Sequence, residues 1–395
     1  MGSLLQQVFA VTKINIKSAR QRRWSSLSTI LAIALVVVVL LAFLSMGNGF
    51  RRTLSGTGSD DIAIILRGGA QSEMNSVVLR DQVRLVEEGP GIARGSDGQP
   101  LVSPELYVTL AGIKRSSGTK ANMPLRGIGP DGAAIRNGVK LIAGRMFNPG
   151  SNEVVVGKGI VSEFEGFALG STIGSGTTQW TVVGMFETGG TAFESEIWAD
   201  LPVVQSLFKR PNVVQTVRVR LQSPAALEEL RSYLEKDPRL KLEAKSEKAY
   251  FADQASRTSD LIQKLGWPLA IAMAFGALAG ALNTMYNSVA ARAAEIATLR
   301  AIGFGGFSAF VGTLAESLLL AVLGGVVGAA ATFLAFDGLT TSTLGTGFTQ
   351  VVFSFQLTPH LVTQGLALAL LVGLIGGVLP ALRAARIPIV RALSA

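Results

Sequence analysis

Four long stretches almost free of charge constrain this chain more than anything else in it. Residues 24–50, 265–291, 301–336 and 338–382 hold no Asp, Glu, Lys or Arg apart from Glu316. A membrane-crossing helix needs about 20 apolar residues, because its backbone must satisfy its own hydrogen bonds in lipid. The first three stretches supply one span each. In the fourth, 338–359 is rich in Thr, Gly and Ser, so only the remainder reads as a span. Spans are therefore expected at 26–50, 265–291, 307–337 and 361–382. A polar insert, 51–264, follows the first, and shorter loops occupy 292–306 and 338–360. The expected fold class is membrane α-helical, with four transmembrane helices plus an extracytoplasmic mixed α/β domain inserted between helices 1 and 2.

Charge orients these spans. Residues 1–23 carry Lys13, Lys17, Arg20, Arg22 and Arg23, the 292–306 loop Arg292 and Arg300, and the tail at 383–395 Arg383, Arg386 and Arg391. Against these ten basic residues stands one acid, Glu295, whereas the insert is nearly balanced at 26 basic and 24 acidic. Short cytoplasmic segments collect Lys and Arg, so both termini and the 292–306 loop are expected inside and the insert outside. The isoelectric point near 10.0 is then a topology signal and says nothing about nucleic acid; membrane lipid, and no nucleic acid, is the expected partner. Composition excludes some chemistry. The 395 residues include no cysteine and one histidine, His360, which rules out disulfides, thiolate catalysis and multi-histidine metal sites.

The first 25 residues read as a cytoplasmic amphipathic helix. Leu5, Val8, Phe9, Thr12 and Ile16 share one face, with Lys13, Lys17 and Arg20 on its flank. The basic region and the uncharged run are both long for a signal peptide, so an uncleaved anchor is expected. A simple basic anchor and a mechanical element fit this pattern equally.

The spans differ in texture. The first is branched and bulky, Ile30-Leu-Ala-Ile-Ala-Leu-Val-Val-Val-Val-Leu-Leu, which suits lipid contact. The others each carry a four-residue glycine spacing: Gly276 with Gly280, Gly324 with Gly328, Gly373 with Gly377. Such pairs let helix backbones approach closely, within this chain or with a second copy. Glu316 is costly in a bilayer and is an intramembrane residue of structural or functional weight.

The insert reads as mixed α/β. Strands are expected at Asp61-Ile-Ala-Ile-Ile-Leu, around Leu106, Val108 and Leu110, at 153–157, 180–186 and 214–221, with helices at 78–88 and 224–235. Glu194 and Glu196 alternate as on a solvated strand face. Gly157-Lys-Gly and the 170–176 stretch read as turns. No triad, no paired carboxylates and no Walker A loop are visible, so the chain is expected to be no enzyme and to bind no cofactor or metal itself.

Residues 292–304 carry the functional reading. As a helix, Ala293, Ile296, Leu299 and Ile302 fall near one face, and Gly303 suits a C-terminal stop. The loop is too short to build its own core. Its residues Arg292, Glu295, Ile296, Leu299, Arg300, Ile302 and Gly303 are therefore expected to meet a cytoplasmic partner, the alternative being that Ile296 and Leu299 pack against this chain's own spans.

Glu295-Ile-Ala-Thr-Leu-Arg-Ala-Ile-Gly-Phe, with Glu316 downstream, resembles the loop and third span of MacB/FtsX-type ABC transporter permeases. The tail resembles their characteristic end, with Pro380, Ala381, Arg383, Ala384, Ala385, Pro388, Ala392 and Leu393 in place. Arg126-Gly-Ile-Gly-Pro-Asp, Leu141-Ile-Ala-Gly-Arg-Met-Phe, Val154-Val-Val-Gly and Thr181-Val-Val-Gly are similar to the MacB-like periplasmic core domain. The resemblance implies a multi-pass bacterial inner-membrane protein with a periplasmic domain, in stand-alone form, since only 23 residues precede the first span. It implies a second permease copy, identical in preference to homologous, and a separate cytoplasmic ABC ATPase that binds ATP and Mg. The 292–304 helix would be the coupling helix, relaying ATPase motion to the outer domain by mechanotransmission. MacB-like export with a periplasmic adaptor is the leading expectation. A lipoprotein-releasing permease of the LolC/LolE type and an FtsX-like regulator of cell-wall hydrolases are the alternatives.

Overall fold

A computed structural model describes residues 4–19, 23–175, 178–345 and 349–389 of the chain. Its helices are α1 (Leu4–Ala19), α2 (Arg23–Ser55), α3 (Arg80–Glu87), α4 (Gly132–Ile135), α5 (Lys158–Glu163), α6 (Leu201–Leu207), α7 (Ala226–Lys236), α8 (Glu247–Ala291), α9 (Ala293–Ala301), α10 (Gly306–Phe336) and α11 (Pro359–Ala385). Its strands are β1 (Ile62–Arg67), β2 (Val78–Leu79), β3 (Val102–Ile113), β4 (Lys120–Ile128), β5 (Lys140–Gly144), β6 (Glu153–Gly157), β7 (Thr172–Ser175), β8 (Thr178–Glu187), β9 (Ile197–Asp200), β10 (Val213–Val214), β11 (Thr216–Arg220), β12 (Leu242–Ser246), β13 (Thr340–Leu344) and β14 (Gln350–Ser354). Two compact units result. One draws on Met1–Asn48, Leu261–Leu339 and Gln356–Ala395, the other on Gly49–Asp260 and Thr340–Phe355.

The helical unit contains the apolar stretches. α2, α8, α10 and α11 are long and apolar enough to cross a membrane. The first of them departs from the expectation of simple lipid contact. Ile33, Val37, Leu40, Leu41 and Leu44 are buried, while Leu31 and Leu35 on the other face stay exposed. Glycines on the facing helices explain this. A Cβ at Gly324 would lie 2.9 Å from Ile33 Cβ, and one at Gly328 would lie 2.8 Å from Val37 Cβ. The branched side chains of α2 thus fill grooves that glycine leaves open. Gly373 and Gly377 serve α10 against α11, where added Cβ atoms would meet Ala321 Cβ at 2.3 Å and Ser317 Cβ at 2.6 Å. Ser317 Oγ donates to the Gly373 carbonyl at 2.7 Å. Gly276 and Gly280 have no such neighbour within 4 Å.

The other unit is built on a mixed ten-stranded sheet in the order β12-β1-β11-β3-β4-β9-β6-β8-β5, with β7 paired to β8. The β4–β9 and β6–β8 pairs are parallel, and the other pairs in this sheet are antiparallel. Alternating apolar side chains such as Leu106, Val108, Leu110, Val154 and Val156 build its core. Several local expectations need correction. Residues 78–79 form β2 against β10, so the helix begins at Arg80, where Gln82 Oε1 accepts from the Leu79 amide at 3.0 Å. The strand expected at 214–221 breaks at Gln215, whose Oε1 accepts from the Tyr107 amide at 2.6 Å. Gly157 closes β6, and Lys158 and Gly159 open α5. Thr172–Ser175 is a strand and not a turn, because it pairs with β8. The Thr-rich stretch expected as a loop at 338–360 contains the β13–β14 hairpin, pinned by a bond from the Val352 amide to Ser195 Oγ at 2.8 Å.

Candidate coupling site

Arg292 sits at the break between α8 and α9, with φ −111° and ψ 13°. Its guanidinium turns inward. Nε donates to Glu295 at 3.3 Å, Nη1 to Glu316 at 3.4 Å, and Nη2 to the Asn15 amide oxygen. Glu316 is only 3% exposed, so an isolated carboxylate there is costly and the arginine offsets that cost. The sequence marks Glu316 and Arg292 separately. Their pairing was within reach of the sequence, because Arg292 and Arg300 are the only cations between Lys264 and Arg383. Asn15 carried no such signal.

The rest of α9 divides into two faces. Ile296 is 7% exposed and packs with Val289, Ala309, Ala384 and Ile387. Leu299 is half-buried in a cleft shared with Val11, Phe304 and Thr313. Arg300 donates from Nη1 to the Ile387 carbonyl and so ties α9 to the segment after α11. These positions correct the expectation that Arg292, Ile296 and Arg300 all face a partner. The loop alone is too short for a core, but the ends of α8, α10 and α11 supply one around it. Ala294, Glu295, Thr298, Ala301 and Ile302 form the outward face. Ile302 is 69% exposed, and Phe307, at the start of α10, is exposed as well. Gly303 takes φ +103°, a left-handed stop that glycine adopts without strain.

α1 also differs from expectation. Its packed side carries Val11 and Asn15, while Phe9 is 70% exposed. The cause is Gly312 of α10, where a Cβ would lie 2.8 Å from Val11 Cγ1 and 3.0 Å from Asn15 Nδ2. Side chains of Leu5, Ile16 and Lys17, and residues Arg20, Arg22, Arg391, Ala392 and Leu393, lie outside the described residues.

A second constellation, without a local sequence signal, lies in the sheet unit. Arg126, Arg136 and Arg218 are buried with Glu73, Glu105, Glu196 and Glu247. Arg126 donates to Glu196 at 2.6 and 2.8 Å, to Glu73 twice at 2.9 Å and to Glu105 at 2.9 Å. Arg136 reaches Glu105 at 2.7 Å, Arg218 reaches Glu247 at 2.7 Å, and Arg218 also pairs with Glu105. The Arg136 guanidinium lies 5.1 Å from the ring centres of both Phe193 and Trp198. Glu196 is therefore no solvated strand residue. A turn at Ala192–Ser195 reorients it inward, where it also accepts from Trp198 Nε1 at 2.8 Å. Burial opposes charge on Glu73, but Arg126 and Arg218 outweigh it and hold the carboxyl below its ordinary range. At Glu247 burial wins over Arg218, and the pKa rises. Such a network fixes the relative places of β3, β4, β11 and the first turn of α8. Its guanidiniums are engaged by carboxylates, which suits a scaffold.

Comparison with known proteins agrees with both units. Residues 26–237 match the family model of the MacB-like periplasmic core domain, and residues 268–389 match that of the FtsX-like permease C-terminal domain. The macrolide export ATP-binding/permease protein MacB 1/2 of Paracoccus denitrificans is 25% identical over 99% of this chain, which spans 59% of that protein's length. Among solved structures, the periplasmic region of MacB from Actinobacillus actinomycetemcomitans is 16% identical, with 52% of this chain and 94% of that one covered and a TM-score of 0.36. The extracellular domain of the noncanonic ABC-type transporter YknZ from Gram-positive bacteria is 13% identical, with 47% and 100% covered and a TM-score of 0.35. Given four candidate spans, a mixed α/β sheet domain and family matches over most of its length, the chain belongs to the MacB/FtsX-type ABC transporter permeases.

Proposed function

We propose that this chain is the permease subunit of an ABC transporter driven by a separate cytoplasmic ATPase, which binds the ATP and Mg. The chain itself hydrolyses no ATP and takes no cofactor. It resides in the bacterial inner membrane with both termini and α9 cytoplasmic. The sheet domain, inserted between the first and second spans, is periplasmic. α9 is the coupling helix. Closure of the ATPase pair moves α9, the spans relay that motion to the periplasmic domain, and a periplasmic substrate is exported with an adaptor, as in MacB. A second, identical permease completes the assembly.

The observation that carries this reading is the outward face of α9. Ile302 and Phe307 remain exposed, and Ile302 shares the outward face of α9 with Glu295 and the smaller Ala294, Thr298 and Ala301. An apolar anchor flanked by a charge suits insertion in a partner's groove, with the charge setting orientation. Affinity purification from mild detergent, with identification of every co-purifying chain, tests it. An ABC ATPase is expected, and the permease stripped of it should turn over no ATP. A folded permease that recovers no ATPase, or that hydrolyses ATP alone, overturns the proposal.

A further inference from the structure

α1 grips the coupling segment at both ends. Near its N-terminus, Gln7 Oε1 accepts from the backbone amide of Gly305, just past α9, at 3.2 Å. Two turns on, the Asn15 amide oxygen accepts from Arg292 Nη2, just before α9. Val11 lies between them and lines a cleft with Ile296 and Leu299. Gln7, Val11 and Asn15 are four residues apart, so one stripe of α1 makes all three contacts. Gly312 of α10 lets that stripe seat closely, and Phe9 points away.

Arg292 is the joint. The chain leaves helical geometry at that residue, where the backbone keeps bonds from the Arg292 amide to the Val289 carbonyl at 3.3 Å and from the Ile296 amide to the Arg292 carbonyl at 2.9 Å. The Arg292 guanidinium links three elements: its own turn through Glu295, α10 through Glu316 and α1 through Asn15. A planar guanidinium holding three acceptors has few orientations left. In a water-poor setting these bonds are stronger than in solvent.

We propose that α1 is a brace that fixes the angle of α9, and that Asn15, Arg292 and Glu316 are positioning residues rather than contacts to a partner. The functional meaning rests on α9 being the coupling helix; the geometry does not. Loss of the brace leaves α9 held by the Ile296 cluster and the Arg300 bond to the Ile387 carbonyl, with a wider range of angles, so part of the motion of a docked ATPase is lost in that play.

The test needs no ATPase. In this cysteine-free chain, Ile302→Cys and Leu334→Cys place spin labels on α9's exposed end and on the far end of α10, both at exposed sites. Pulsed electron spin resonance of the full permease in nanodiscs should give one narrow distance peak. Asn15→Ala and Glu316→Ala, which remove the acceptors of Arg292, should broaden or split it, while the melting temperature shifts little for Asn15→Ala. Asn15→Asp, which keeps an acceptor oxygen for Arg292, should retain the narrow peak. If Asn15→Ala does not accumulate, Asn15→Ser, too short to reach Arg292, takes its place. A peak that stays narrow in the shortened variants overturns the brace, as does equal broadening in Asn15→Asp. Either result leaves the coupling-helix reading standing. Conversely, broadening in a permease from whose purification no ATPase is recovered upholds the brace while the proposed function fails.

Discussion

Arg136 donates from Nη2 to Glu105 at 2.7 Å, and neither side chain reaches solvent. Arg126 and Arg218 converge on the same carboxylate. Burial opposes its charge, but the three guanidiniums, led by Arg136, outweigh burial and hold the Glu105 pKa at about 2, against an ordinary 4.5. The folded value lies below the unfolded one. The resulting stability is therefore complete above pH 4.5 and is lost as pH falls toward 2. A shift of this size corresponds to roughly 3 kcal/mol. The melting temperature of the purified permease should fall steeply over that window. Glu105→Gln should lower it at neutral pH and flatten the acid-side fall. A Glu105→Gln profile parallel to wild type would contradict this account.

Arg126 contacts three carboxylates, and its guanidinium lies 4.6 Å from the Tyr107 ring centre. Removing one member of a buried ionic network leaves uncompensated charge and typically costs about 3–5 kcal/mol. Arg126→Met should destabilise the sheet domain by that order. Adding Glu196→Gln to Arg126→Met should recover part of the loss, because one of the orphaned charges is gone. Chemical denaturation followed by tryptophan fluorescence checks both. Strict additivity of the two substitutions would mean that they are not coupled.

Sequence patterning reached the spans and most strands because those signals are local. Uncharged runs and period-two alternation are imposed by the immediate surroundings of each residue. Glu196 shows the limit. Alternation with Glu194 is the same whether Glu196 meets water or Arg126, and the arginine lies 70 positions away. The β13–β14 hairpin hid for a similar reason, since its Thr and Ser side chains read as loop until β14 is bonded to Ser195. At α9 the periodicity placed Ile296 and Ile302 near one face, yet Ile296 is buried and Ile302 exposed. Steps of three residues drift about 60° each on a helix of 3.6 residues per turn, so Ile302 ends about 120° from Ile296 and leaves the buried face.

The glycine pairs should separate by experiment. Gly328→Leu collides with Val37 at a site that has no room, so it should lower thermal stability sharply. A Cβ at Gly276, an exposed position, meets nothing within 4 Å, so Gly276→Leu should leave the monomer's stability close to wild type. If the second permease copy seats on the Gly276 face, Gly276→Leu should instead reduce the dimer fraction measured by light scattering in detergent. Equal thermal losses for the two variants would mean that packing does not distinguish them.

The proposed orientation rests on the concentration of basic residues in the short segments. Lys120→Cys, in the sheet domain, should react with a membrane-impermeant maleimide added to spheroplasts. Ile302→Cys should react only after lysis. Reversed labelling would place α9 outside and remove any cytoplasmic partner from consideration.

Ile302 and Ile296 offer the sharpest contrast, because they lie six residues apart and differ tenfold in exposure, 69% against 7%. Aspartate at Ile302 changes a surface that this chain does not cover, so expression, insertion and melting temperature should stay close to wild type. If the outward face of α9 docks the ATPase, the same substitution should abolish ATPase co-purification, since truncating a central anchor typically costs about 2 kcal/mol or more and a charge costs further desolvation. Aspartate at Ile296 places a charge among Val289, Ala309, Ala384 and Ile387. It should destabilise the permease itself by about 3 kcal/mol or more, with ATPase binding lost only as a consequence. The two variants therefore separate docking from folding. Ile302→Asp that retains the ATPase with full coupled turnover would remove the outward face of α9 from the interface. Ile302→Asp that misfolds would show that this residue belongs to the permease's own packing, as Ile296 does.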